Sequence, residues 1–206
     1  SNDDIDGTSL TVTQGVGVAS LEDALTLTLE NEILLDVVTA GYETINIASN
    51  VGANTITDLD ATSAQNIVIT GSKDITLSDV DMEEQTTGTV TRTSTVDASA
   101  LTGKLTLVMT NDEGDQTITG GSNDDAISMA FSALDADDTI TGGGGTDTLT
   151  LTDFNGDIGE VQVDVDRLAL SSDATSTTGA TTIDLRNSTT LTRVTINLDD
   201  TVANTT

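Results

Sequence analysis

Almost everywhere along this chain, aliphatic side chains alternate one for one with small polar ones. ALTLTLE (24–30), ETINIAS (43–49), NIVITG (66–71), GKLTLVM (103–109), DTLTLTD (147–153) and RVTINLD (193–199) all do so. SLTVT (9–13), NTITDLD (54–60), DITLSDV (74–80) and VQVDVD (161–166) continue the pattern. A period of two sends successive side chains to opposite faces, so each run reads as a strand with one buried face. Gly, Asn, Asp and Ser, the turn formers, separate the runs. Proline is absent, so every residue can donate to a ladder. One stretch reads two ways. Ser20-Leu-Glu-Asp23 resembles a capping box at the start of a helix over 21–38. Leu25, Leu27 and Leu29 alternate with Thr26 and Thr28, however, and strand is preferred. The expected class is all-β.

The supply of core residues narrows the architecture. Aromatics are 1% of the chain: Tyr42, Phe131 and Phe154. Thick, irregular cores draw much of their buried area from aromatics. Val, Ile, Leu and Ala suit thin, regular stacks. ITDLDATSAQNIVI (56–69), VDASALTGKLTL (96–107) and IDLRNSTTLTRVTI (183–196) echo one another. A degenerate repeat of this kind predicts a solenoid, in which each rung touches only its neighbours. The expected fold is a right-handed parallel β-helix or β-roll; the alternative is β-sandwich flanks around a short roll. The chain divides by pattern into a β-rich segment (1–110), a glycine-turn segment (111–150) and a β-rich continuation (151–206). It begins at Ser1 rather than Met, which suggests part of something larger.

Charge decides which partners are open. Six basic residues face 35 acidic ones, for a net charge of −29. Such a chain repels itself when compact, so cations must screen it. It lacks the Lys and Arg that nucleic-acid phosphates or an anionic membrane surface require. Acidity and few aromatics also describe disordered chains, but the alternation is too persistent for that. No apolar run approaches the ~20 residues of a membrane helix. With no His and no Cys, the commonest general bases, thiol nucleophiles and zinc ligands are missing.

The glycines carry the chemistry. Gly142 to Thr150 fits the nonapeptide G-G-x-G-x-D-x-U-x, U being a large aliphatic residue, at every specified position. Gly120 to Ser128 fits with one change: Asn123 stands for glycine, as the residue that best tolerates a left-handed backbone. Asn111 to Ile118 and Ala133 to Ile140 are weaker copies, the first with Gln116 at the aspartate position and the second without glycine. Nine residues make a turn and a short strand, so alternate turns should stack: 120–125 against 142–147, and 111–116 against 133–138. Asp125 and Asp147 lie 22 apart, four more than two nonapeptides, and the surplus should bulge near Phe131-Ser-Ala-Leu134. Stacked turns would gather backbone carbonyls and carboxylates into the six to eight hard oxygens that calcium takes. The candidate ligands are Gly120, Ser122, Asp124, Asp125, Asp138, Gly142, Gly144, Thr146 and Asp147. The acidic stretch Asp112-Glu113-Gly114-Asp115 could assist the neighbouring site, and Asp135, Asp137 and Asp138 could do the same. A flexible linker would not repeat Asp and Leu at fixed positions, and a phosphate cradle would need a following Lys and helix. Asp3-Asp4-Ile-Asp6-Gly7 reads as a solvated acidic turn. Residues 81–95 read as a protruding loop, and Phe131 and Phe154 as caps of the roll.

These two nonapeptides resemble the calcium-binding repeats of the RTX family, exported by type I secretion. The resemblance covers 111–150 and implies a parallel β-roll with calcium bridging successive turns. The flanks, AGYETINIAS (40–49) and VQVDVDRLALSSD (161–173), are similar in style to bacterial surface-layer (S-layer) proteins that carry RTX motifs. That resemblance implies a secreted, extracellular structural protein on the cell surface. It would self-assemble with copies of itself when calcium is present, with cell-surface polysaccharide reached through another domain. The alternative is a calcium-stiffened module of a large secreted RTX adhesin. Some parallel β-helix polysaccharide lyases use calcium and a catalytic Arg, a role Arg167 or Arg186 could fill. No sugar platform or converging constellation accompanies them, so no enzyme is expected.

Overall fold

A computed structural model of the chain describes residues 8–13, 23–82, 93–109, 114–153, 159–173, 183–184 and 188–199. The acidic turn at 3–7, residues 83–92 of the proposed loop, Phe154 and Arg186 lie outside them.

The alternating runs become strands of two parallel sheets that the chain visits in turn. The ten-stranded first sheet contains β1 (Thr8–Thr13), β3 (Ile33–Ala40), β5 (Asn54–Ile56), β6 (Leu59–Ala61), β8 (Ile75–Met82), β10 (Leu105–Met109), β12 (Ala126–Ala130), β14 (Thr148–Thr152), β17 (Arg167–Asp173) and β19 (Arg193–Asp199). The seven-stranded second sheet contains β2 (Ala24–Glu30), β4 (Thr44–Val51), β7 (Asn66–Gly71), β9 (Ser94–Leu101), β11 (Gln116–Thr119), β13 (Thr139–Thr141) and β16 (Gln162–Asp164). β15 (Gly159–Glu160) and β18 (Ile183–Asp184) pair separately. The fold is a right-handed parallel β-helix, as the sequence leads one to expect. The ambiguous stretch is strand, divided into β2 and β3 at Asn31, whose φ is +67°.

Each sheet stacks like on like. In the first sheet an inward row runs from Leu10 through Val37, Leu59, Val80, Met109, Met129, Leu151 and Leu170 to Ile196. In the second, Leu25, Ile45, Ile67, Val96, Ile118, Ile140 and Val163 form another. The buried members join a single core cluster extending from Leu27 to Leu170. Pairing continues without a break across residues 110 and 150, through β10–β12 and β14–β17. A 3-10 turn at Phe131–Ala133 absorbs the surplus residues at the expected bulge, with Phe131 and Leu134 buried. The sequence echo does not mark one repeated coil. Residues 56–69 pass from the first sheet to the second, whereas 96–107 pass from the second to the first. Among the described residues, no helix is long and apolar enough to cross a membrane.

Candidate metal centre

The two nonapeptide turns lie on one side of the solenoid, each leading into a strand of the first sheet. They stack directly. Gly144 N–H donates to the Gly121 carbonyl at 2.9 Å, and Thr148 N–H to the Asp125 carbonyl at 2.9 Å. Thr146 N–H donates to Asp124 Oδ1 at 2.8 Å. The glycine run permits this approach. Gly143 and Gly145 have φ of +97° and +116°, and a Cβ on Gly143 would lie 2.2 Å from the Gly121 carbonyl oxygen. An L-residue there meets both strain and collision. The turn at 120–125 is built differently. Among the described residues, Asn31 and Asp153 are the non-glycine positions with positive φ, so Asn123 is not left-handed. Its amide donates instead to the Thr102 carbonyl one rung below.

The aspartates that end these turns are buried, Asp125 and Asp147 each being 2% exposed. Their oxygens accept backbone hydrogen bonds. Asp125 takes Leu105 N–H at 2.7 Å and Gly121 N–H at 2.5 Å. Asp147 Oδ1 takes Asp125 N–H at 2.9 Å, and Asp166 Oδ2 takes Asp147 N–H at 2.9 Å. Near the other end, Asn54 Oδ1 does the same for Glu32 N–H at 2.8 Å. At these rungs a side chain of the following rung supplies the acceptor, whereas Asp74 Oδ1 and Asp124 Oδ1 accept from Lys104 N–H and Thr146 N–H of the rung that follows them. Burial pushes the Asp125 and Asp147 carboxyls up; for Asp125 the two amide donors oppose the rise. Asp166 and Asp124 add to it at Asp147.

The opposite side holds the weaker copies, and here carboxylates meet. Asp138 is fully buried, accepting Gln116 N–H at 2.7 Å and Asp135 N–H at 2.6 Å. Burial pushes it up to about 6. Around it, carboxylate oxygens of Asp115, Asp135 and Asp137 all lie within 4.8 Å of one another. Asp135 and Asp137 are exposed, and Asp115 is half-buried. Burial raises the Asp115 carboxyl, and the charges of Asp137 and Asp135 raise it further.

The predicted ligands therefore divide. Gly120, Ser122, Asp124, Asp125, Gly142, Gly144, Thr146 and Asp147 share one turn column, and Asp138 lies in the other. In the first column the donor set is hard oxygen, but the buried carboxylates are already engaged by amides. In the second, Asp135 Oδ1 takes Asp137 N–H at 2.9 Å, and the converging carboxylates of half-buried Asp115 and exposed Asp135 and Asp137 are a set of the kind calcium takes. Residues read from the sequence as accessory thus form the three-carboxylate cluster, the signal being Asp135-Ala-Asp137-Asp138 facing Asp115 one turn away. A second acidic ladder was not foreseen. Asp36, Asp58 and Asp79 stand side by side on β3, before β6 and on β8. Burial raises Asp58, with Asp79, Asp36 and Asp60 adding repulsion. Compared with known protein families, curated proteins and solved structures, the chain matches none.

Proposed function

We propose that this chain is a calcium-dependent structural module of a bacterial surface layer, exported by type I secretion and assembled outside the cell from copies of itself. The observation that carries the reading is the meeting of Asp115, Asp135 and Asp137 on stacked turns. Three carboxylates at that separation repel one another, and a divalent cation reverses the sign of their contribution. The ligands come from turns that meet only when the solenoid closes, so metal binding and folding are coupled. The net charge of −29 gives the same coupling a reason over the whole chain. The role is mechanical rather than catalytic, and attachment to cell-surface polysaccharide belongs to another domain.

The test is a calcium titration followed by far-UV circular dichroism and light scattering, with magnesium as control. Calcium should add to the strand signal and drive large assemblies at concentrations where magnesium does neither. Folding into soluble rods that never assemble would favour the adhesin reading. A spectrum and scattering indifferent to calcium would sink both.

A further inference from the structure

The two ends of the solenoid complement each other. At the N-terminal end a cavity of about 320 Å3 is lined by Leu10, Leu27, Leu29 and Leu34, with Glu30 and Glu32 on its wall. Glu32 Oε2 is buried there, with no hydrogen-bond partner among the described residues. A buried acceptor left without a donor costs stability. At the C-terminal end the last described strand, β19, leaves Val194 50% and Ile196 61% exposed. Both continue inward rows of the core, on Leu168 and Leu170. Arg193 sits beside Arg167 in register, a repulsive pair with both side chains exposed. The row of Arg193 ends at Ile33, next to Glu32.

Among the described residues, β1 pairs only with β3 and β19 only with β17, so each leaves one edge open. An open edge is a template for another strand. All strands are parallel, so a shift along the solenoid axis sets the free edge of β19 against the free edge of another β1. We infer that β19 of one copy pairs in parallel with β1 of a second copy and carries the first sheet across the junction. This rests on the self-assembly proposed above and assigns it a surface. Ile196 stacks on the partner copy's Leu10, keeping the apolar row unbroken, and Val194 covers the mouth of the cavity. Arg193 comes two rungs from Ile33, beside Glu30 and Glu32, and brings a positive charge to that acidic end. The contact is head to tail, and repeated it builds an open filament.

The chain has no cysteine, which makes the register testable. In it Thr195 lies opposite Ser9. Neighbouring strands are about 4.8 Å apart, within the Cα range a disulfide spans. Ser9→Cys and Thr195→Cys are made as separate proteins and oxidised with diamide, alone and mixed, in calcium. A disulfide dimer should form in the mixture and in neither protein alone. Thr11→Cys with Asn197→Cys guards against one substitution disturbing its strand, and circular dichroism confirms folding. Arg193→Glu should lower the yield several-fold, and Glu32→Arg in the partner protein should restore it. Dimers of Thr195→Cys alone would mean a two-fold end contact and overturn the proposal. So would folded mixtures of both pairs that yield no disulfide. If calcium still drives assembly in that case, the surface-layer reading survives on lateral faces. A disulfide in a protein indifferent to calcium would support the end contact while removing the calcium reading.

Discussion

On one side of the solenoid the turns at 120–125 and 142–147 bury the aspartates that end them; on the other, the turn at 135–138 leaves Asp135 and Asp137 in water. The aspartate that ends the turn does the same work on both sides, Asp138 being buried and engaged by amides like Asp125 and Asp147, but the second side adds exposed carboxylates. Asp125 and Asp147 complete the backbone, taking up N–H groups that would otherwise be buried without acceptors. Asp135 and Asp137 crowd towards Asp115, where their charge has no basic partner in the cluster. The close match to the nonapeptide marks the side where backbones pack most tightly. The degenerate side has more exposed charge.

The largest effect expected from this contrast is at Gly143. Gly143→Ala places a Cβ against the Gly121 carbonyl in a left-handed residue, and should cost about 3 kcal/mol in urea unfolding. Ala136→Ser, on the exposed part of the opposite turn, should stay within about 0.5 kcal/mol. Equal costs would erase the distinction between the two columns.

Next comes a pH slope owed mainly to Asp138. Its carboxyl titrates near 6 in the fold, against an ordinary value of 3.8. Between those values the folded state holds more proton than the unfolded state, so stability falls as pH rises through the window. Asp125 and Asp147, also raised, act in the same direction. Urea midpoints of the calcium-free protein should therefore fall between pH 4 and 6 and level off above, and Asp138→Asn should flatten the upper part. Midpoints that climb over this range would show that the amide donors outweigh burial.

The smallest effect on folding, and the most telling for calcium, is expected from Asp135→Asn with Asp137→Asn. Both side chains are exposed, so calcium-free stability should move by no more than about 0.5 kcal/mol. Calcium affinity by titration calorimetry should fall about tenfold or more, or about 1.4 kcal/mol. If the affinity holds while Asp124→Asn weakens it, the ion belongs to the nonapeptide column.

Strands were legible because alternation is a local signal and burial enforces it: the ten quoted runs all lie on strands or overlap them. The bulge at Phe131 was legible because its flanking turns were. Which rung lies on which was harder to see. The step between stacked turn residues is 19 from Asp147 to Asp166 and 30 from Asp74 to Lys104, so no fixed period exists to find. The echo at 56–69 and 96–107 misleads for this reason, since similar turn chemistry serves opposite sides of the coil. Asn123 was misread because a side-chain bond to Thr102 can replace a backbone twist. The carboxylate cluster draws on two turns 20 residues apart whose stacking the nonapeptide spacing predicts; what the spacing hides is that Asp115, Asp135 and Asp137 converge there while the aspartates of the glycine turns are buried.

The relay of side-chain acceptors gives the solenoid a direction of growth. The amides of Leu105, Asp125 and Asp147 each find their carboxylate in the rung that follows them in sequence. A chain zipping from its C-terminal end meets each new rung with an acceptor already in place. Zipping from the N-terminal end leaves these buried amides bare until another rung is laid down, and finds acceptors in place only for exposed ones such as Lys104 N–H on Asp74 and Thr146 N–H on Asp124. Nearest-neighbour stacks can nucleate anywhere, but this one should advance more readily in one direction than the other, like a ratchet whose pawl is a carboxylate.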